Sequence, residues 1–320
     1  MATSTLAPRT AAPPDRAKPA VGDPTNRRPR RRHITSKSIW TFLFVLPMLV
    51  IFTLFAWWPI VQSLGLSLQQ TNFITSEWVG FENFSRVLAD PLLPVATGNT
   101  VQFTLLSVLI GFPVPLLFAI LIAELRRARG FASVLAYLPV IVPPVVAVLL
   151  WKALYNPSGD GVFNTILGSV GLGPFAWLND GDLVIPAIVV QATWASFGTA
   201  TIIYLAALMS VQSELYEAAE IDGAGIRRRI WHVTLPQLRG VILTMLLLQL
   251  IGVFQIFTEP YIMTGGGPEN RSVTILMLIY RYAFVSGDYG RATALSVLLA
   301  VVLALFSVLF LLTTRRWSRS

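Results

Sequence analysis

Gln249, Gly252 and Gln255 stand at i, i+3 and i+6 in an otherwise apolar stretch, and Glu259 follows within the same arc. At about 100° per residue they share one broad face of a helix. Gln191, Trp194 and Ser196 interrupt a second apolar stretch, beside Gly198. Amides exchange hydrogen bonds with hydroxyls and an aromatic ring stacks on a sugar face, so these residues suit contact with a hydroxyl-rich solute rather than bond-making. Gln249 and Gln255 serve equally well as hydrogen-bonding groups between helices. Glu259 lies where its stretch ends and suits a wet interface better than a proton relay.

Bond-making chemistry finds few candidates. Cysteine is absent, which removes disulfides, thiolate nucleophiles and cysteine metal clusters. The two histidines, His33 and His232, lie far apart beside basic stretches and do not suggest a metal or catalytic pair. No Gly-x-x-x-x-Gly-Lys-Ser/Thr stretch occurs, so the chain is not expected to hydrolyse ATP; Gly265, Gly266 and Gly267 lack a following lysine. A net charge of +8 arises from basic blocks beside apolar spans, not from an aromatic-and-basic face, which argues against nucleic acid as a partner.

The elements that must position these residues are membrane helices. The 320 residues are 54% hydrophobic and only 12% charged, with a mean hydropathy of +0.66. Their uncharged intervals are long enough to cross roughly 30 Å of hydrocarbon. The expected architecture is an all-α integral membrane protein with six transmembrane helices, its permease domain covering 38–314. Spans are expected at about 41–61, 99–123, 131–151, 183–208, 240–257 and 292–312. Pro47 is expected to kink the first. Pro139, Pro143 and Pro144 imply a bent or broken third span, by simple kinking or as a hinge. The segment 63–99 and the Gly- and Asn-rich segment 153–182 read as folded loops. Val273 to Tyr280 is too short to span and reads as an external or re-entrant segment. Residues 1–37 cannot bury a core and read as a disordered basic tail, and 315–320 as a short basic terminus.

One long polar stretch lies between late apolar segments: SELYEAAEIDGAGIRRRIWHVTLPQL, residues 213–238. Leu215, Ala218, Ala219 and Asp222 recur at helical spacing. Gly223 and Gly225 can take the positive φ that ends a helix, and Ile226, Ile230 and Val233 restart the period until Pro236. Glu217-Ala218-Ala219, Gly223 after three intervening residues, then Val233 and Leu235-Pro236 resemble the EAA loop of inner-membrane permeases in binding-protein-dependent ABC importers. Gln212 and Ile230 stand where such loops often carry proline and an aromatic. Asp222-Gly223-Ala224 and the later Thr264-Gly265-Gly266-Gly267-Pro268 resemble the carbohydrate-importer branch, the maltose and glycerol-3-phosphate type.

That resemblance implies a permease forming half of a translocation pathway. It implies a second related permease, two ATPase subunits that bind the ATP and Mg, and an extracytoplasmic solute-binding protein. No cofactor is expected in this chain. The loop 209–239 would couple to the ATPase through Glu217, Ala218, Ala219, Asp222, Gly223, Leu235 and Pro236. Ala218 and Ala219 are small enough for close approach, while Glu217 could cap, pair with a basic group on the partner, or pair with a nearby arginine. The solute path would run near Gln191, Trp194, Ser196, Gln249, Gln255 and Glu259, and 264–268 would receive the binding protein. Import of glycerol phosphate by the same architecture, or a secondary carrier, are the rival readings; the scarcity of ionisable groups inside the spans argues against the carrier.

Orientation follows from Lys and Arg. Nine fall in 1–37, three in 126–129, four in 209–239 and three in 315–320, against five on the opposite side. Both termini and the coupling loop are therefore expected on the cytoplasmic side of a bacterial inner membrane.

Overall fold

The structure, a computed structural model, describes residues 36–71, 74–125 and 128–315. The expectations for most of the 1–37 tail, for Arg126 and Arg127 and for 316–320 lie outside the described residues. The chain divides after Ala56 into two units.

The described part of the first unit is helical. α1 (Ser36–Phe52) contains Pro47 without interruption, and an irregular π turn comes only later, at Thr53–Trp57. From Trp40 to Phe55 every residue of this unit is exposed, including Phe44, Met48 and Phe55. Such a surface needs an apolar surrounding rather than water.

The second unit begins with α2 (Trp58–Ser67), so the first apolar helix, Trp40–Ser67, runs beyond the expected Val61. A hairpin of β1 (Gln69–Thr71) and β2 (Ser76–Trp78) pairs Gln69 with Trp78 and Thr71 with Ser76. α3 (Glu82–Leu88) follows. α4 (Leu92–Leu106) starts seven residues before Asn99, because the Asp90 carboxylate accepts the Leu92 N–H at 2.7 Å and opens the helix there. It continues through a π turn at Ser107–Gly111 into α5 (Pro113–Glu124).

The third span is broken. α6 (Arg129–Ile141) and α7 (Pro144–Leu154) meet at 93°. Pro143 forces Val142 into extended backbone (ψ 126°), and Pro144 then starts the new helix. α8 (Val162–Gly168) lies in the Gly- and Asn-rich segment, which is clipped by buried Asn164: its amide reaches the Phe175 carbonyl at 3.1 Å and accepts from Phe175 N and Trp177 Nε1, both at 3.0 Å. α9 (Val184–Met209) matches the expected fourth span within a residue.

The polar stretch forms α10 (Ser213–Ile221), α11 (Ile226–Arg229) and a π turn at Ile230–Thr234 that feeds α12 (Leu235–Phe254). Short helices α13 (Thr258–Thr264) and α14 (Ile275–Tyr280) precede a π turn at Arg281–Val285 and the last long helix, α15 (Tyr289–Thr314). Among the described residues five helices are long and apolar enough to span a bilayer, and the bent pair α6–α7 makes six.

Three of the π turns share one sequence rule. Pro59, Pro113 and Pro236 each stand two residues beyond the turn's last residue. A proline ring clashes with the carbonyl four residues earlier, and in every case that carbonyl lies inside the widened turn. The wider ring absorbs the clash, so these spans stay continuous where the α6–α7 pair breaks.

Within the second unit, buried residues form three clusters. One joins Val87 and Ala96 to α14 and the start of α15; a second joins α5, α9 and Leu238 of α12; a third joins Phe103, Val148, α9 and Met263. Leu121, Leu248, Leu305 and Leu309 remain more than half exposed, the inverse of a soluble fold and the mark of a lipid-facing surface.

A charged clasp ties α3 to the start of α15. Arg86 holds Asp288 at 2.7 Å, and Arg291 pairs with Asp90 while its guanidinium lies 4.1 Å from the Tyr282 ring centroid. The Tyr282 hydroxyl donates to Asp90 at 2.6 Å. Burial pushes the Asp90 carboxyl up, and the Tyr282 hydroxyl, the Leu92 N–H and Arg291 together bring it below the usual carboxylate range. The clasp's contribution is therefore complete above the ordinary carboxylate pKa and lost as pH falls through the depressed folded value. Asp90→Asn is expected to lower stability by about 1.5–3 kcal/mol at neutral pH. Thermal unfolding in detergent checks this, and the gap between variant and wild type should close only in acid.

Candidate coupling loop and solute path

α10 is a nine-residue amphipathic helix with none of its residues buried. Glu217 and Ala218 are exposed, Ala219 is half-buried, and Ile221 is 87% exposed. It ends where Gly223 takes φ +73°, which turns its N–H to Glu220 O at 3.0 Å and that of Ala224 to Ala219 O at 2.8 Å. Gly225 has φ −66° and stands as the residue before α11. Of the two glycines expected to supply positive φ, only Gly223 does so, because a single left-handed residue closes the turn.

The hairpin is tied down at two points. Tyr216 and Thr234 hydroxyls lie 3.2 Å apart, and Arg229 approaches Glu220 at 3.8 Å. Glu217 makes no ion pair among the described residues, so the arginine-paired glutamate is Glu220. Ala219, Asp222 and Ala224 line one side of a shallow cleft, and Arg228, His232 and Val233 the other. Leu235 packs into the α5–α9 cluster, and Pro236 follows the π turn. Leu235 is half-buried there, and Pro236 is exposed.

Among the described residues no hydrogen bond joins the predicted solute-path residues to one another. Gln249 donates from Nε2 to the Ser107 carbonyl at 2.9 Å, reaching the π turn between α4 and α5. Gly111, in that turn, leaves a Cβ only 3.1 Å from Gln249 Nε2 and 3.0 Å from Thr193 Oγ1. Three spans meet there. Gln255 is exposed at the end of α12 and bonds back to Ile251 O at 3.1 Å. Gln191 is buried, and its Oε1 has no partner among the described residues. The Trp194 ring lies 5.5 Å from that of Trp151, and Ser196 is exposed with its hydroxyl on Ala192 O. Glu259 opens α13.

The 264–268 segment is a self-bonded knot. Thr264 Oγ1 lies 2.7 Å from Ser272 Oγ and accepts the Gly266 N–H at 3.2 Å; Ser272 Oγ donates to Gly267 O at 2.6 Å. Gly265 and Gly266 have φ +64° and +96°, and a Cβ on Gly266 would meet Val273 Cγ2 at 2.6 Å. Asn99 of α4 clamps the far side, donating to Asn270 O and Val273 O. Pro268 lines a cleft with Asp182 and Arg271, which brings the 153–182 segment alongside.

The sequence reading missed the Arg86, Asp90, Asp288 and Arg291 clasp, whose two arginines entered only among the five basic residues counted opposite the coupling loop. Asp90-Pro91 directly before a span was the one local signal available. It also missed Ser107 and Gly111, which lie in an apolar run.

The family described as binding-protein-dependent transport system inner membrane component matches residues 20–319 of the chain. The chain is similar to the probable ABC transporter permease protein YurN of Bacillus subtilis (strain 168), with 32% identity over 279 residues covering 85% of this chain and 95% of that protein. It is also similar to the trehalose/maltose transport system permease protein MalF of Thermococcus litoralis, with 33% identity over 272 residues covering 84% and 92%. A solved structure of the bacterial alginate ABC transporter, in complex with alginate pentasaccharide-bound periplasmic protein, superposes with a TM-score of 0.78 at 28% identity, covering 89% of this chain and 96% of that one. With its apolar helices and its match along nearly the whole chain, the protein belongs to the family of binding-protein-dependent transport system inner membrane components, as a multi-pass permease.

Proposed function

We propose that the chain forms half of the pathway of an ATP-driven importer for a sugar or oligosaccharide. It works with a second related permease, two ATPase subunits that bind the ATP and Mg, and an extracytoplasmic solute-binding protein. α10 is the coupling element, on the cytoplasmic side together with both termini. The observation that carries this reading is the free face of α10. An amphipathic helix between two spans leaves Ile221 and Ala218 uncovered among the described residues, and a groove in a partner would cover them. Closure of the ATPase pair would pull on α10, and the Tyr216–Thr234 and Glu220–Arg229 ties would pass that movement to α12.

The carbohydrate assignment draws on relatives named for trehalose/maltose and for alginate. Glycerol phosphate is the second solute class that this architecture suits.

The test is uptake of labelled monosaccharides, oligosaccharides and glycerol phosphodiesters in cells lacking this chain, with and without the restored wild-type gene. Recovery of one saccharide, abolished on removing the ATPase partner while the proton gradient persists, supports the reading. Recovery of a phosphodiester alone moves the substrate to glycerol phosphate, and uptake that survives loss of the ATPase points to a carrier.

A further inference from the structure

The hairpin between α9 and α12 is divided by charge. From 213 to 222 the charged side chains are all acidic, Glu214, Glu217, Glu220 and Asp222; from 223 to 239 they are all basic, Arg227, Arg228, Arg229 and Arg239. Arg229 approaches Glu220 across the turn, whereas Arg227 and Arg228 are exposed and make no ion pair among the described residues. The basic half also carries exposed apolar groups. Ile230 packs on the α5–α9 cluster and Thr234 is buried, which fixes the inner side of α11 and its π turn. Beside the two arginines, Trp231 is 69% and Ile226 55% exposed.

The length of the span says what lies next to them. The helix running from Ile226 to Phe254 has 29 residues, about 43 Å at roughly 1.5 Å each, whereas the hydrocarbon core is about 30 Å thick. α12 alone, with 20 residues, fills that core. Residues 226–234 therefore stand in the headgroup layer, where indole rings and basic side chains are both favoured. Arg239 lies one turn further in, a depth from which a long basic side chain snorkels back to the same layer.

We propose that Ile226, Arg227, Arg228 and Trp231 form a seat for anionic phospholipid headgroups of the cytoplasmic leaflet, which holds α11 at a fixed depth. The arginines meet phosphates, while Trp231 and Ile226 enter the boundary between headgroups and acyl chains. The same headgroups repel the acidic α10 and leave it clear of the membrane to meet a protein partner. The change of sign at Gly223 thus gives each half of the hairpin its own neighbour. This rests on the coupling role and cytoplasmic placement proposed for the hairpin.

The chain has no cysteine, so Ile226→Cys and Ile221→Cys each place a single nitroxide label on it, the label being itself apolar. The labelled chain, assembled with its second permease, is reconstituted with and without the ATPase subunits into vesicles of phosphatidylcholine alone or of an equimolar mixture with phosphatidylglycerol. Collision of each label with a neutral, water-soluble nickel chelate is then measured. Accessibility at 226 is expected to fall about fivefold or more when phosphatidylglycerol is present, with or without the ATPase. Arg227→Gln combined with Arg228→Gln should abolish that fall. Accessibility at 221 should respond to the ATPase and not to the lipid. Equal accessibility at 226 in the two lipids, or a fall that survives removal of both arginines, overturns the seat. Protection at 226 that requires the ATPase overturns it as well, by marking the basic half as a subunit contact. An ATPase that fails to protect 221 overturns the coupling reading instead, independently of the result at 226.

Discussion

Gly223→Pro is expected to leave the chain inserted at wild-type abundance and to lower solute uptake by about 100-fold or more. The position holds φ +73°, whereas a proline ring fixes φ near about −65°. Proline also removes the N–H that closes α10 on Glu220 O. Together these cost about 3 kcal/mol or more at the one residue that sets the angle between α10 and α11. The damage is local, because the site is exposed and none of the packed clusters reaches it. Gly223→Ala sharpens the test. A Cβ there meets nothing within 4 Å among the described residues, so alanine bears only the left-handed backbone penalty of about 1 kcal/mol and should lose roughly fivefold. Membrane abundance, co-purification of the ATPase and uptake are read together. Normal uptake by an inserted proline variant would remove α10 from the coupling path.

Gly198→Ala is expected to act in the packed interior. A Cβ on Gly198 of α9 would lie 2.4 Å from the Ala136 carbonyl oxygen and 2.8 Å from Tyr137 Cα, both on the backbone of α6. A side chain could rotate away, but a helix backbone must translate. α6 ends in the 93° break into α7, so the shift carries into the broken span. One added methyl group in so tight a crossing costs about 1–3 kcal/mol. Thermal unfolding of the solubilised protein should show an earlier transition. Gly240→Ala in α12 is the control: its Cβ meets nothing within 4 Å among the described residues, and alanine there favours the helix. Equal unfolding temperatures for Gly198→Ala and wild type would show that α6 and α9 separate without cost.

Both substitutions concern glycines, yet they differ in how far the chain itself reveals them. Gly223 closes a run of helical period before a second run begins, so its role is written in neighbouring residues. Gly198 is one glycine in an apolar span, and only the approach of α6 distinguishes it from Gly240. The same contrast holds among the prolines. Pro143-Pro144 must break a helix wherever it lies, since the restriction acts on the preceding residue. Pro47, with the same ring, leaves α1 uninterrupted.

The sequence by itself determined the class, the long apolar helices and the hairpin between α9 and α12, because bilayer thickness, helical period and a helix-ending glycine act over a few residues at a time. Tertiary structure alone decided how the polar groups are used. Gln249 spends its amide on Ser107, 142 residues away, and Arg291 and Arg86 meet partners 201 and 202 residues distant. Among the described residues it also decided that Glu220, and not Glu217, forms an ion pair with an arginine. Each depends on which helix faces bury together, an outcome of packing the whole bundle that no local pattern in the chain records.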